Sequence, residues 1–452
     1  MITRLSLLVL LSSSLTASAA DWPRFRGPNG SGIAPDDKPV PVEWSATKNL
    51  KWQTALPGPG SSSPIVAGDR IFVTCWSGYA TDGQQGTGDI TALKRHLICV
   101  DRTTGKILWD RSVPAKQPEE RYGGMFAQNG YASHTPVSDG KSVFAFFGKS
   151  GVHAFDLDGK PLWQADVGDW DDRRGWGTAS SPILHGDVLI VPALVESQAL
   201  FGFDKTTGKQ LWKAPSDGFA GTWGSPIVVE IEGRADLAIA VPSEVWGFNP
   251  DTGKLRWYAT GLQSDSVCNS VVTDGAAVFA MSERGGGSVA IKAGGKGDVS
   301  ATHTLWTGSN GSRIATPILW ENSLYWISGS IANCRDAKTG AEVYSERIES
   351  TGTATAAAPP QGGNQGFGGG GGGRRGGGGM GGGDYASPVA ANGHLYHVSR
   401  RGEVLVIKLG PKFELISRNK IEGDTSDHSA TPALSNGQLF LRSAKTLYCI
   451  GE

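Results

Sequence analysis

The sequence predicts an all-β chain folded as an eight-bladed β-propeller, and three observations carry that expectation. A hairpin at residues 153–163 (HAFDLDGKPLW) returns as LICVDRTTGKILW (97–109), LFGFDKTTGKQLW (200–212) and VWGFNPDTGKLRW (245–257), with a worn copy in NCRDAKTGAEVY (333–344). A Ser/Thr-Pro dipeptide keeps step with it at Pro64, Pro136, Pro182, Pro226, Pro317, Pro388 and Pro432, and Ser270-Val271 fills the remaining place. The last repeat stops where a fourth strand is due, and a matching strand stands orphaned at the other end of the chain. Repeats of roughly 40–50 residues, each holding four short strands, are the sequence signature of propeller blades.

The hairpin has local causes. A β-prone run ends at Asp or Asn, whose short side chain accepts hydrogen bonds from the N–H groups of the turn, and the Gly of Thr-Gly-Lys or Asp-Gly-Lys supplies the positive φ of a tight reversal. Trp109, Trp163, Trp212 and Trp257 end the return strands, where a large ring has a neighbouring unit to pack against. From Pro136 onward the markers step by 46, 44, 45, 46, 71 and 44 residues, and the first step, from Pro64, is 72. A basic period of about 45 is therefore interrupted by two insertions. One is read at residues 77–95, between the second and third strands of the first blade. The other is read at about residues 351–384, where Gly fills 16 of the 22 positions from Gly362 to Gly383; a tract this poor in side chains cannot offset its ordering entropy and is expected to be disordered.

The ends of the chain complete the architecture. Residues 1–20 read as a secretory signal, with Arg4 before a short apolar run (5–11) and small residues at 17–20. Residues 21–49 form an arm whose opening, DWPRFRGPNGSG, is expected to plug a groove on the ring with its two aromatics, a binding loop being the other reading. The propeller then occupies residues 50–452. Residues 431–450 supply three strand segments of an eighth blade, and residues 50–56 (LKWQTAL) supply the fourth, which closes the ring and removes its open edges. Seven blades is the alternative count, because the seventh blade's last strand lacks the Trp.

Composition narrows the function. A formal net charge of -1 over 452 residues gives no electrostatic footprint for nucleic acid. Five cysteines, at 75, 99, 268, 334 and 449, make no CxxC; they read as buried small hydrophobes, with a Cys75–Cys99 pairing left open. The 8 histidines are mostly single, and His394 and His397, three apart on a strand, point to opposite faces, so no metal site is expected. No GxSxG, phosphate-loop or HExxH motif occurs. Asp101, Asp156 and Asp204 recur at the hairpin turn, which marks them as structural.

The hairpins LICVDRTTGKILW, HAFDLDGKPLW and LFGFDKTTGKQLW resemble the pyrroloquinoline-quinone (PQQ)-type propeller repeat across residues 50–452, and DWPRFRGPNGSG is similar to the opening of secreted PQQ-like repeat proteins. That family includes quinoprotein dehydrogenases and non-catalytic propellers such as the outer-membrane assembly lipoprotein. The dehydrogenases as a family imply PQQ on a Trp platform, a vicinal Cys-Cys disulfide, a calcium held by Glu and Asn, and an Asp base. This sequence has no adjacent cysteines and no matching calcium-and-base set. The expectation is accordingly a non-catalytic exported scaffold that binds an envelope protein or polymer and needs no cofactor, with a PQQ- and calcium-dependent alcohol or sugar dehydrogenase as the alternative. The residues just before each marker are expected to line one mouth of the ring: Tyr131, His134, Arg173, Arg174, Trp176, Trp223, Arg313, Tyr385 and His428, with repeat-level packing as the other reading of Trp176 and Trp223, which both precede Gly.

Overall fold

The structure is a computed structural model that describes residues 21–81, 88–122, 126, 130–282, 286–349 and 385–452. The expected signal segment, the second insertion and part of the first lie outside the described residues.

Eight sheets of four antiparallel strands follow one another round a ring in chain order, except that Gly297–Asp298, between the third and fourth strands of blade 5, adds a short parallel strand to blade 4, and that the last blade is shared between the two ends of the chain. Blade 1 runs Ile65–Ala67, Arg70–Ser77, Lys94–Asp101 and Ile107–Pro114, and blade 3 runs Ile183–His185, Val188–Ala193, Ala199–Asp204 and Gln210–Pro215. Blade 8 takes Ala433–Ser435, Gln438–Arg442 and Thr446–Ile450 from the C-terminal end and Leu50–Ala55 from the N-terminal end, with Trp52 opposite Cys449 and Thr54 opposite Leu447. The expected closure is present. It is reinforced across the seam by Arg102 of blade 1, whose Nη2 donates to Ser435 O (2.8 Å) and whose Nε donates to Gln438 Oε1 (2.9 Å). From the other side Arg442 of blade 8 donates to Ser62 O (2.7 Å).

The hydrophobic effect acts between blades rather than within one central core. One cluster joins blades 2 and 3 through Phe144, Phe146, Leu189, Val191, Phe201 and Phe203, and another joins blades 3 and 4 through Ile190, Leu200, Trp212, Leu237 and Phe248. The largest one spans the seam and also takes in Trp22 and Trp44 of the arm.

The recurrent hairpin is a clasp. Asp204 Oδ1 accepts from Thr207 N (2.7 Å) and Thr207 Oγ1 (2.8 Å), and the same pair of bonds joins Asp336 to Thr339 and Asp101 to Thr104. On each finished turn sits a Trp from the preceding blade. Trp52, Trp109, Trp163 and Trp306 donate Nε1 to the carbonyls of Arg102, Leu157, Lys205 and Ala337 at 2.8–2.9 Å. The turn glycine has to be Gly for a second reason besides its φ of 71°: a Cβ on Gly208 would lie 2.5 Å from Trp163 Cδ2. Trp257 departs from the pattern. It fills the space between blades 4 and 5, but its Nε1 turns back to Asp236 Oδ2 (2.8 Å) in its own blade, because blade 5 carries AGGKGD in place of the Asp-x-x-Thr-Gly turn.

Register settles the open cysteine question. Cys99 pairs opposite Phe72 and Cys75 opposite His96, an odd offset that puts the two thiols on opposite faces of the sheet. Cys75 and Cys99 are both buried free thiols, as are Cys334 and Cys449.

The first insertion enters between the second and third strands of blade 1, as expected. Part of the extra length of the first step is instead spent in the connection from Pro114 to Val137, which carries Tyr122, Phe126 and Tyr131.

Candidate binding site at the mouth of the ring

The Ser/Thr-Pro markers form a ring of their own. Seven blades open at the channel with Ser or Thr followed by Pro and blade 5 opens with Ser270-Val271, and from Ser63 to Ser387 the marker's N–H donates to the hydroxyl of the next marker. Ser63 N bonds Thr135 Oγ1 (2.9 Å), Thr135 N bonds Ser181 Oγ (3.0 Å), Ser181 N bonds Ser225 Oγ (2.8 Å) and Ser225 N bonds Ser270 Oγ (2.9 Å). The chain continues through Thr316, Ser387 and Thr431 at 2.9 Å per link. An innermost strand has no neighbour on its channel side, so its N–H needs an acceptor from elsewhere. A hydroxyl on a one-carbon stem reaches from the adjacent blade, which is why Ser270 keeps its place in blade 5 although the Pro is lost.

The carbonyls of the same strands are capped by the arm, which runs inside the ring. Trp22 pairs with Val66 of blade 1 (Trp22 N to Val66 O 3.0 Å), Pro23 O accepts from Ser138 N of blade 2 (2.9 Å), and Ala34 N donates to Ala390 O of blade 7 (2.8 Å). Between these anchors Arg24 Nη2 donates to Pro226 O (3.1 Å). Arg26 spreads its guanidinium over Thr316 O (3.1 Å), Pro317 O (2.6 Å) and Pro388 O (3.1 Å). The arm thus plugs the channel itself, deeper than the surface groove expected from the sequence. The plug makes the upper half of the channel a cavity of about 560 Å³, floored by Phe25, collared by all eight marker residues and rimmed by Phe126, Arg174, Trp176, Trp223, Asp265, Cys268, Arg313 and Tyr385.

The rim is packed. Trp176 and Trp223 lie 4.9 Å apart, Phe126 stacks on Trp176 at 6.1 Å, and Arg174 covers the Trp176 ring at 5.4 Å while its Nη2 pairs with Asp265 Oδ2 at 3.1 Å. Trp223 is anchored through Nε1 to Gly177 O (2.7 Å). Across the mouth, Arg400 lies 4.9 Å over Tyr385 and holds Asp427 (Nε to Oδ2 2.7 Å), and burial raises the Tyr385 hydroxyl above its ordinary pKa.

Of the nine residues expected at the mouth, the structure brings Arg174, Trp176, Trp223, Arg313 and Tyr385 together round the cavity. Tyr131, His134 and His428 stand behind its wall, and Arg173 lies outside its lining on the exposed surface. Tyr131 packs between Trp76, Tyr79 and Tyr122. His134 is bonded to Ser180 O at 2.8 Å, and burial lowers its pKa to about 3, so its ring is neutral. His428 sits under Gly402, bonded to Ser426 O at 2.9 Å, and burial lowers its pKa as well. Phe25, one of the two arm aromatics expected to plug the ring, reaches the cavity, whereas Asp265 and Cys268 were not among the residues expected at the mouth. Both precede the Ser270 marker, so the rule that found the other approaches also selects them once Ser270 is counted.

The match to known proteins runs over most of the chain. The family model described as "Outer membrane protein assembly factor BamB" matches residues 79–217 and 148–410. The chain belongs to this PQQ-like propeller family. Its fold is also that of BamB from Moraxella catarrhalis (TM-score 0.57, 12% identity, covering 89% of this chain and 97% of the other) and of a europium-containing methanol dehydrogenase (TM-score 0.62, 10% identity, 96% and 98%). Quinohemoprotein alcohol dehydrogenase from Comamonas testosteroni shares it too (TM-score 0.59, 10% identity, 96% and 80%). In sequence the chain is 24% identical to polyvinylalcohol dehydrogenase of Sphingopyxis sp. (strain 113P3) over 258 residues, 48% of this chain but only 36% of that protein. These likenesses to BamB and to quinoprotein dehydrogenases place the fold, and the site has to speak for the function.

Proposed function

We propose that the protein is an exported, non-catalytic binding propeller that holds an exposed segment of an envelope protein or polymer in the cavity at the mouth of the ring. The observation that carries this reading is the state of the lining. The marker hydroxyl oxygens from Thr135 to Thr431 already accept backbone N–H groups, the tryptophans are packed on one another, and the one lining carboxylate among the described residues, Asp265, is engaged by Arg174. No His faces the cavity among the described residues, so no base stands beside a hydroxyl or thiol to activate it. A concavity edged by Trp, Tyr and Arg is instead the composition of a binding anchor. The family match to an assembly factor supports a protein partner. No helix among the described residues is long and apolar enough to cross a membrane.

The names of the relatives favour a second reading, a quinone-dependent dehydrogenase, and the residues present do not fit it. Calcium takes six to eight oxygen ligands, with carboxylates prominent among them. The cavity offers a single, already paired carboxylate, and no group of three or more His, Cys, Asp or Glu gathers anywhere among the described residues. Cys268 has no neighbouring cysteine in the sequence. No catalytic step is derived through PQQ.

The test is capture from an envelope extract. Wild type recovers a partner, Arg174→Ala/Arg313→Ala loses it with an unchanged melting curve, and Arg173→Ala retains it. Equal recovery by all three proteins refutes the mouth as the binding face. Stoichiometric uptake of PQQ in the presence of calcium, with alcohol-dependent dye reduction, refutes the non-catalytic reading.

A further inference from the structure

Three guanidinium groups are buried around the channel with only neutral partners. Arg26 and Arg442 are fully buried and Arg24 is 8% exposed. Arg24 and Arg26 bond to carbonyls at Pro226, Thr316, Pro317 and Pro388, and Arg442 bonds to Ser62 O and Oγ (2.7 and 2.6 Å) and to Thr74 O (2.7 Å). None of the three forms an ion pair among the described residues, and the Nε atoms of Arg24 and Arg442 have no hydrogen-bond partner. Every carbonyl named belongs to a marker or to a residue beside one, except that of Thr74. The three charges therefore lie at the level of the marker ring, next to the cavity and shielded from water, where their field is screened least. Burial lowers their pKa values to about 10, 9 and 10 for Arg24, Arg26 and Arg442, which leaves all three cationic at neutral pH.

The cavity above them completes an anion site. Its charged lining is Arg174, Arg313 and Asp265, and Arg174 already answers Asp265. In the marker ring the hydroxyl oxygens from Thr135 to Thr431 each accept a neighbour's N–H, and a hydroxyl that accepts still has an O–H to give to a ligand in the cavity it lines. Phe25 adds an apolar floor. A buried positive field with hydroxyl donors, whose one lining carboxylate among the described residues is already paired, is complementary to a negatively charged ligand.

Resting on the reading of the mouth as a partner site, we propose that the cavity accepts an acidic peptide segment, an apolar side chain seated on Phe25 and its carboxylates turned to the hydroxyl collar and Arg313. Arg24 and Arg26 of the arm are then positioning residues of the site as well as structural caps.

Cys268 provides the readout, because it lines the cavity and is the one cysteine of the five that is not buried. The full chain is alkylated with iodoacetamide, a neutral reagent, in the presence of an acetylated, amidated Glu-Phe-Asp peptide, its Gln-Phe-Asn counterpart, or sodium acetate. The acidic peptide should slow labelling of Cys268 at least about fivefold and lose that protection as salt is raised, while the neutral peptide and acetate leave the rate unchanged. Equal protection by both peptides, protection by acetate alone, or no protection by the acidic peptide at millimolar concentration overturns the proposal. Arg26→Gln should weaken protection by the acidic peptide; if that variant does not fold, Arg313→Gln carries the same expectation at the rim. Capture of a partner through Arg174 and Arg313 without discrimination between the two peptides removes the acidic chemistry and leaves the mouth as the binding face.

Discussion

The outer rim and the inner mouth of this ring are built from the same residue types put to opposite uses. At the rim, Trp163 covers the glycine of the next blade's turn, gives its N–H to Lys205 O, and recurs in kind at Trp52, Trp109 and Trp306. At the mouth, Trp176 and Trp223 pack on each other beside Arg174 and Asp265, a grouping that no other blade repeats. The difference teaches that in a repeat protein recurrence measures what every blade needs in order to close on its neighbour, whereas departure from recurrence marks what the ring as a whole presents.

The largest effect expected from breaking this contrast comes from removing residues 21–56. That deletion takes away the closing strand Leu50–Ala55 and, with Arg24 and Arg26, the donors to four carbonyls at the channel. It should abolish cooperative melting. A truncated protein that melts within a few degrees of the full chain would show that neither the seam nor the plug matters.

A smaller effect is expected behind the mouth. Glu196 is fully buried near the Arg95–Glu119 ion pair, with Thr178 and Tyr122 also around it; burial raises its pKa to about 7 from an ordinary 4.5. Below pH 4.5 folded and unfolded chains both hold the proton. Between about 4.5 and 7 only the folded chain does, so its stability falls as pH rises, and above 7 the loss is complete. Glu196→Gln lacks this term and should gain about 2–3 kcal/mol relative to wild type across that window. Denaturant melts at several pH values measure the gain, and a constant difference between the two proteins contradicts it.

The clasp is tested by a pair of glycines that share a positive φ. Gly208 (φ 71°) lies under Trp163, whereas a Cβ on Gly186 (φ 55°) would meet nothing within 4 Å. Both Ala variants bear the left-handed strain of about 1 kcal/mol, and Gly208→Ala should cost a further 1–3 kcal/mol, roughly, for displacing the ring. Equal losses would mean that the Trp contact is incidental.

How much of this was legible in the sequence follows from the same contrast. The hairpin, the blade count and the closing strand were readable because Asp, Gly and Trp recur in register, and a periodic signal survives the decay of single copies such as residues 333–344. Five of the nine expected mouth residues line the cavity because a residue just before Ser/Thr-Pro must approach the channel. Tyr131, His134 and His428 obey the same spacing yet turn behind the wall, since alternation along an irregular approach is not written in sequence. The plugging role of the arm aromatics was readable, but the depth of the plug and the carbonyls that Arg24 and Arg26 cap were not: the arm has no period, and its partners at Pro226, Pro317 and Pro388 lie hundreds of residues away. The blade 4–5 junction shows the converse. AGGKGD announces the missing turn, but not that Trp257 would then bond to Asp236.

The smallest effect concerns one link of the marker ring, where the rim's logic of repetition reaches the mouth. Ser225 Oγ accepts from Ser181 N at 2.8 Å, and both groups are buried. Ser225→Ala strands that N–H, a loss of about 1–2 kcal/mol for a buried donor without a partner. Ser225→Thr keeps the hydroxyl, as the natural Thr at positions 135, 316 and 431 does, and should restore most of the loss. Because the other collar hydroxyls remain to meet a ligand, partner capture should follow stability and not fall further in Ser225→Ala, in contrast to Arg174→Ala/Arg313→Ala, where capture falls and stability does not. If Ser225→Ala instead loses its partner at full stability, the ligand depends on this single hydroxyl, and the division between repeated scaffold and unrepeated site fails there.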